Sequence, residues 1–115
     1  MTERRVVATG LGAITALGNG VEPFWENILA GRSGISLIEK VDVSDIPTKI
    51  AAEIKDFDIE DYMSRRQARR MDTSSQYFWV ATQQALADAG LEYEEDDPIN
   101  NIPKHLDKLR DLIHA

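Results

Sequence analysis

The chain has 115 residues, 43% of them hydrophobic, and a formal net charge of -7 at pH 7, which is typical of a soluble protein able to bury one core. It contains no cysteine, which excludes a disulfide framework, a thiolate metal site and a cysteine nucleophile within this sequence. The acidic balance disfavours nucleic acid as a partner, because it would repel phosphates. No apolar run reaches the length of about 18 residues needed to cross a membrane, and no secretory signal pattern is present, so we expect a cytoplasmic protein.

A short apolar run, a glycine-rich turn and an amphipathic pattern follow one another over Arg4–Ser36. Val6–Ala8 predicts a short strand covered on both faces. The glycines that follow allow a sharp turn and close packing against neighbouring elements. From Val21 the spacing of apolar residues predicts a helix that ends at Gly31, where a left-handed cap belongs. Its apolar face would consist of Phe24, Trp25, Ile28 and Leu29.

The glycines of this turn fit a dinucleotide-binding fingerprint poorly. The third glycine position holds Thr15, and the predicted helix begins well beyond the second glycine. A lone glycine pattern is a weak signal, so we favour a structural turn and predict no cofactor.

The middle of the chain is typical of a connecting region. Val41–Pro47 predicts a loop, because its polar residues are followed by a proline. The alternation of apolar Ile50, Ala52 and Ile54 with other residues predicts a short, half-buried strand. Asp58 is a suitable N-cap for a helical turn that starts at Ile59.

Four arginines, Arg65, Arg66, Arg69 and Arg70, lie within six positions of an otherwise acidic chain. On a helix, Arg65 would lie over Arg69 and Arg66 over Arg70, and such like-charge pairs are slightly destabilising. Two interpretations remain open. The arginines could pair with acidic residues of the same chain, Asp61 among them, or they could form a docking patch for an acidic partner, since guanidinium groups match carboxylates and phosphates.

A second helix is predicted between Met71 and Gly90. Asp72, Thr73 and Gln76 supply its capping signal, including a T-x-x-Q capping box, and the helix should run to about residue 89. Small residues lie close to one face, which would let the helix approach a neighbour closely. That face would contain Tyr77, Ala81, Ala85 and Ala89, flanked by Val80.

Three motifs in this order resemble the 3-oxoacyl-[acyl-carrier-protein] synthase II family: VVATGLGAITALGNGVEPFWENILAGRSGI, FDIEDYMSRRQARRMD, and SQY with ALADAGL. The resemblance covers about Thr2–Pro98, so we expect a family segment over residues 1–98 and a divergent tail over 99–115. It implies an α/β chain that is the N-terminal fragment of a thiolase-like αβαβα layered fold, mostly helical with one or two short strands. Because a strand without its sheet partners leaves backbone groups unpaired, we expect a compact but marginally stable domain.

The resemblance also implies an acyltransferase reaction of fatty acid biosynthesis, the decarboxylative condensation of an acyl thioester with malonyl-acyl carrier protein. The family uses a cysteine, which carries the acyl group, and two histidines in glycine-rich motifs of its C-terminal half. This chain has no cysteine, and its two histidines, His105 and His114, lie in the tail outside any such motif. We therefore predict no catalytic residue and no metal site, and a truncated or split synthase that is inactive unless another polypeptide completes it.

In the family, basic residues before the MD motif are implied to receive the acyl carrier protein, so we predict carrier docking at Arg66, Arg69 and Arg70. The resembled enzymes are homodimers, which implies a second copy or a completing synthase polypeptide as a further partner. The chain departs from the family after the MD motif, where it has bulky Phe78 and Trp79.

The tail suggests an alternative. An acidic run over residues 92–97 precedes an amphipathic helical pattern that starts at Lys104. The chain could therefore be a stand-alone interaction module that binds a carrier protein or a synthase through the arginines and this helix.

Overall fold

The computed structural model describes residues 3–91, and the acidic run, the tail helix and both histidines lie outside this range. The described residues form two antiparallel hairpins, each of two strands, together with three α-helices and one 3₁₀ turn. In chain order these are β1 (Ile14–Thr15), β2 (Gly18–Asn19), α1 (Val21–Leu29), β3 (Ile35–Leu37), β4 (Ile50–Ala52), the 3₁₀ turn (Ile59–Asp61), α2 (Arg65–Ala68) and α3 (Thr73–Asp88). The predicted number of one or two strands is therefore too low.

The strand predicted at Val6–Ala8 is wrong. Within the described range no strand precedes β1, and Val6 is 94% exposed. No other described strand lies alongside this segment to satisfy its backbone groups, which a strand requires. The chain instead runs along α3, where the Leu11 amide donates to Asp88 Oδ2 at 2.9 Å and the Ala13 amide donates to Gln84 Oε1 at 3.0 Å.

Helix α1 and its glycine cap are confirmed. Gly31 has a φ of 67°, and its amide donates to the Ile28 carbonyl at 3.0 Å. The next amide, of Arg32, donates to the Asn27 carbonyl at 3.0 Å, which completes a Schellman motif. The apolar face of α1 is largely uncovered, however, since Leu29 is 69% exposed and no residue of the helix is buried.

The loop at Val41–Pro47 and the strand that follows it are confirmed, but the strand presents the opposite face to the one predicted. Ile50 is 54% exposed and pairs with Leu37, while Ala51 is partly covered and lies opposite Ser36. The partner strand β3 was not predicted. Its isoleucine and leucine are also exposed, because no described element covers that face of the two-stranded hairpin.

The predicted close contact on the small-residue face of α3 is confirmed. A Cβ atom added to Gly12 would lie 1.9 Å from the Ala81 carbonyl oxygen, and one added to Gly10 would lie 2.1 Å from the Ala85 carbonyl oxygen. Only glycine allows an approach this close. The glycine-rich turn therefore packs directly on the backbone of α3.

The core of residues 3–91 is small. Its buried hydrophobic residues are Ala68, Val80 and Ala89, and only Val80 is completely enclosed. Large apolar side chains on α1 and on both strands of the second hairpin are exposed. Within residues 3–91, apolar side chains that could extend this core are therefore left uncovered.

Candidate docking site

The arginine cluster lies on α2, a single helical turn with a capping box at its start. Ser64 Oγ accepts a hydrogen bond from the Gln67 amide at 3.3 Å, and Gln67 Oε1 accepts one from the Ser64 amide at 3.2 Å. This S-x-x-Q box was missed in the sequence, although the pattern is present. The T-x-x-Q box predicted for the next helix is wrong, because Asp72 and not Thr73 is the N-cap of α3.

Asp72 and Gln76 hold the elbow between α2 and α3. Asp72 Oδ1 accepts a hydrogen bond from the Ser75 amide at 2.7 Å. Gln76 turns back, and its Nε2 donates to the Ala68 carbonyl at 3.1 Å and to the Met71 carbonyl at 3.4 Å. These bonds satisfy carbonyls at the end of α2 and fix the direction in which α3 leaves it.

An aromatic cluster supports the elbow from the preceding 3₁₀ turn. Phe57 stacks on Tyr62 with ring centroids 5.7 Å apart and meets Tyr77 of α3 edge to face at 4.8 Å. The turn itself is capped as predicted, since Asp58 Oδ1 accepts from the Glu60 amide at 2.9 Å. The 3₁₀ turn and α3 are thereby tied together on either side of the arginine cluster.

Arg65 differs from the other three arginines. Its Nε lies 3.5 Å from Glu60 Oε1, and the two side chains are 73% and 54% exposed. An ion pair this exposed contributes little to stability. The intramolecular pairing foreseen for the cluster is therefore found for Arg65, but with Glu60 and not with Asp61.

The three arginines predicted to dock a carrier protein are all exposed. Within residues 3–91, Arg66, Arg69 and Arg70 make no side-chain hydrogen bond or ion pair. α2 ends at Ala68, and the backbone continues the turn beyond it, since the Arg69 amide donates to the Arg65 carbonyl and the Arg70 amide to the Gln67 carbonyl, each at 3.1 Å. We define Arg66, Arg69 and Arg70 as the arginine patch, a set of cations available to an anionic partner.

An apolar groove begins directly after the arginine patch. It measures about 500 Å³ and is lined by Met71, Ser74, Ser75, Phe78, Trp79 and Thr82. Phe78 is 76% exposed, which is unusual for an aromatic residue in the middle of a helix. The sequence drew attention to Phe78 and Trp79 as bulky residues, but not to the groove that they line.

Metal-binding clusters and membrane-spanning helices are absent from the described residues. No group of three or more His, Cys, Asp or Glu side chains in this range could hold a metal ion. No helix in residues 3–91 is long and apolar enough to cross a membrane. Open cavities in this range lie next to the arginine patch and between the start of α1 and the end of α3.

Residues 3–100 match the family described as "Beta-ketoacyl synthase, N-terminal domain". The chain belongs to the beta-ketoacyl synthase family. It is 47% identical over 97 residues to the 3-oxoacyl-[acyl-carrier-protein] synthase 2 of Vibrio cholerae, and 43% identical over 93 residues to that of Staphylococcus aureus. These alignments cover 84% and 81% of this chain, but only 23% and 22% of the two relatives. The family resemblance seen in the sequence is thus confirmed.

A solved structure gives the same assignment for the fold. The ishigamide ketosynthase/chain length factor superposes with a TM-score of 0.73 at 35% identity, over 79% of this chain and 23% of that chain. The described part of this beta-ketoacyl synthase chain is therefore an N-terminal fragment of a thiolase-like fold, as predicted. The chain spans about a quarter of the length of the relatives that it matches.

Proposed function

We propose that this chain serves as the N-terminal part of a beta-ketoacyl-acyl carrier protein synthase of fatty acid biosynthesis, and that its arginine patch docks the acyl carrier protein. The observation that carries the proposal is the exposure of Arg66, Arg69 and Arg70 without an anionic partner in the described range. Three cations on a rigid elbow match the charge of an acidic carrier and would speed its association. The relatives' names support the choice of carrier, because both contain "acyl-carrier-protein".

By itself, this sequence would not catalyse the condensation. It contains no cysteine, and hence no thiolate that could take the acyl group from a thioester. In the condensation, the nucleophilic sulfur and the groups that stabilise the enolate would come from a completing polypeptide. The exposed apolar faces of α1 and β3 are consistent with cover by such a polypeptide or by a second copy. Residues 1–98 would form the family segment and residues 99–115 a separate tail.

Charge reversal tests the docking role. We expect Arg69→Glu/Arg70→Glu to weaken binding of the full chain to holo-acyl carrier protein by about tenfold or more at low salt, because two attractive contacts become repulsive. Calorimetric titration at several salt concentrations measures the change. The matched control is Arg4→Glu/Arg5→Glu, which alters net charge equally at two exposed arginines that are not part of α2. Equal weakening by both pairs, or by neither, would contradict docking at the patch.

A separate assay tests incompleteness. The full chain alone should release no carbon dioxide from malonyl-acyl carrier protein, and activity should appear when a polypeptide with the family's cysteine and histidine motifs is added. The alternative, a stand-alone interaction module, predicts carrier binding without any such gain. Reading the DNA that follows codon 115 separates the two, since a nearby frame with the missing motifs supports a split synthase.

A further inference from the structure

A second groove lies between the start of α1 and the end of α3, at the other end of α3 from the arginine patch. We call it the α1–α3 groove, and it measures about 580 Å³. Leu11 lines it and is 58% exposed. The other apolar residues of its lining include Val21, Pro23 and Ala87. Apolar side chains in such a groove gain free energy when another surface covers them.

The rim of the α1–α3 groove is acidic. Glu22 lies in the first turn of α1, and Asp88 is the last residue of α3. Asp88 Oδ2 accepts a hydrogen bond from the Leu11 amide at 2.9 Å, but neither carboxylate forms an ion pair within residues 3–91. No basic side chain of the described residues lines this groove. A matching cover therefore combines apolar residues with bordering positive charge.

The C-terminal part of the sequence carries that combination. The spacing from Lys104 onward predicts an amphipathic helix. The residues of its apolar stripe are Leu106, Leu109, Leu112 and Ile113. With about 3.6 residues per turn, Lys108 and Arg110 would border this stripe, one on each side. Asp107 and Asp111 would lie on the opposite face, away from an acidic rim.

The chain leaves α3 beside this groove. Gly90 has a φ of 69°, and the Leu91 amide donates to the Leu86 carbonyl at 2.9 Å, which ends the helix. Twelve residues, 92–103, then precede the predicted helix, and they can span up to about 40 Å. The predicted helix over residues 104–113 would be about 15 Å long. The sequence is therefore long enough to fold back over the α1–α3 groove.

Charge distinguishes this groove from the other surfaces within reach. The acidic run over residues 92–97 would be repelled by Glu22 and Asp88. The arginine patch does not suit the predicted helix, because its cations would face Lys108 and Arg110. The patch is also separated from the end of α3 by the 16 residues of that helix, about 24 Å.

We propose that residues 104–113 form a helix that folds back and covers the α1–α3 groove, with its leucines against Leu11 and Pro23 and with Lys108 and Arg110 facing the acidic rim. These residues lie beyond the family match, which ends at residue 100. The contact is intramolecular and independent of carrier docking. It would supply cover for apolar surface that residues 3–91 leave exposed.

A spin label in the full chain tests the contact. The sequence contains no cysteine, so Asp111→Cys provides a single attachment site on the polar face of the predicted helix. A nitroxide at this site should broaden the amide NMR signals of residues 20–22 and 86–88, and it should leave those of residues 65–70 sharp. The same sample with the nitroxide reduced gives the reference spectrum.

Substitutions on each side of the contact should remove this broadening. We expect its loss in the labelled chain with Leu109→Ser, and also with Leu11→Ser. The matched control is Leu29→Ser, which changes a leucine that is 69% exposed at the far end of α1 and should leave the broadening intact. Circular dichroism of each variant checks that the helices persist.

Four results would overturn the inference. No broadening beyond the label's own neighbours would show that the segment does not fold back. Broadening centred on residues 25–29 or on residues 65–70 would place it on a different surface. Equal loss with Leu11→Ser and Leu29→Ser would show that the groove is not the contact. Broadening in a mixture of spin-labelled and isotope-labelled chains would mean that a second copy supplies the helix.

Discussion

Helices α1 and α3 end in the same way, yet of the two only α3 contains a buried residue. Each closes with a Schellman motif around a glycine in the left-handed region, at φ 67° for Gly31 and 69° for Gly90. α1 has the stronger apolar pattern but buries no residue, whereas α3 buries Val80 and receives Gly12 on its backbone. Local sequence therefore determined both helix ends, while burial depended on what lies beside each helix.

The difference in burial between α1 and α3 indicates separate roles for the two helices. α3 is anchored on one side by the glycine-rich turn, so it can present Phe78 and the neighbouring arginine patch in a fixed geometry. α1 instead exposes Trp25 and Leu29, which are 55% and 69% accessible. In a complete synthase we expect α1 to be a site of assembly and the start of α3 to be a site of recognition.

The largest expected effect comes from breaking the glycine contact. Gly12→Ala should destabilise the full chain by about 3 kcal/mol, at the upper end for overpacking, because the new Cβ meets a helix carbonyl that cannot rotate away. Gly31→Ala adds the same methyl group in open space and should cost about 1 kcal/mol, the penalty of a left-handed alanine. Urea unfolding followed by circular dichroism measures both. Equal midpoints would mean that the contact does not support α3.

A smaller effect should distinguish the two helices directly. Val80→Ala removes methyl groups from a side chain with no exposed surface and should cost about 2 kcal/mol. Leu29→Ala removes a larger apolar group from α1, yet it should change stability by less than about 0.5 kcal/mol because that group is already in water. The same urea experiment compares them. A larger loss for Leu29→Ala would show that α1 is covered in solution, by the tail or by a second copy.

Short-range features were predictable because they depend on a few neighbouring residues. The cap at Asp58, the glycine after α1 and the loop before β4 are confirmed, and each follows from turn or capping chemistry. The small-residue face of α3 and the close-packing glycines were also recognisable. That these two features contact each other was not, since no local pattern records which distant segments meet.

The errors have a common physical cause. Val6–Ala8 has the composition of a buried strand, but a strand needs partners that the described range lacks. Ile50 was placed on the covered face, yet its hairpin has no layer on that side. In both places the sequence carries the pattern of a larger fold. The groove beside the arginine patch was missed for a different reason, because Phe78 was interpreted as a packing residue and is in fact exposed.

The smallest predicted effect is a pH dependence of α3 that α1 lacks. Hydrogen bonds from Ser75, and a lesser one from Ser74, lower the pKa of Asp72 from its usual 3.8. The folded state therefore binds this proton less readily than the unfolded state. The stabilisation by the ionised cap is complete above about pH 4 to 5 and is lost as the pH falls through the lowered folded-state pKa. The N-cap of α1 is Gly20, so this helix has no capping carboxylate.

Asp72→Asn isolates this contribution, because asparagine also caps helices well but does not titrate. Other carboxylates with lowered pKa values, Asp42 beside Ser44 and Glu53 beside the amides of residues 39 and 40, titrate in both proteins and cancel in the difference. We expect the parent to lose more stability than the variant as the pH falls from 5 toward 3, with the difference reporting the ionised cap. Helical amide exchange measured for α3 and α1 at each pH would locate the loss. Parallel pH profiles for the two proteins would show that the charge of Asp72 does not stabilise α3.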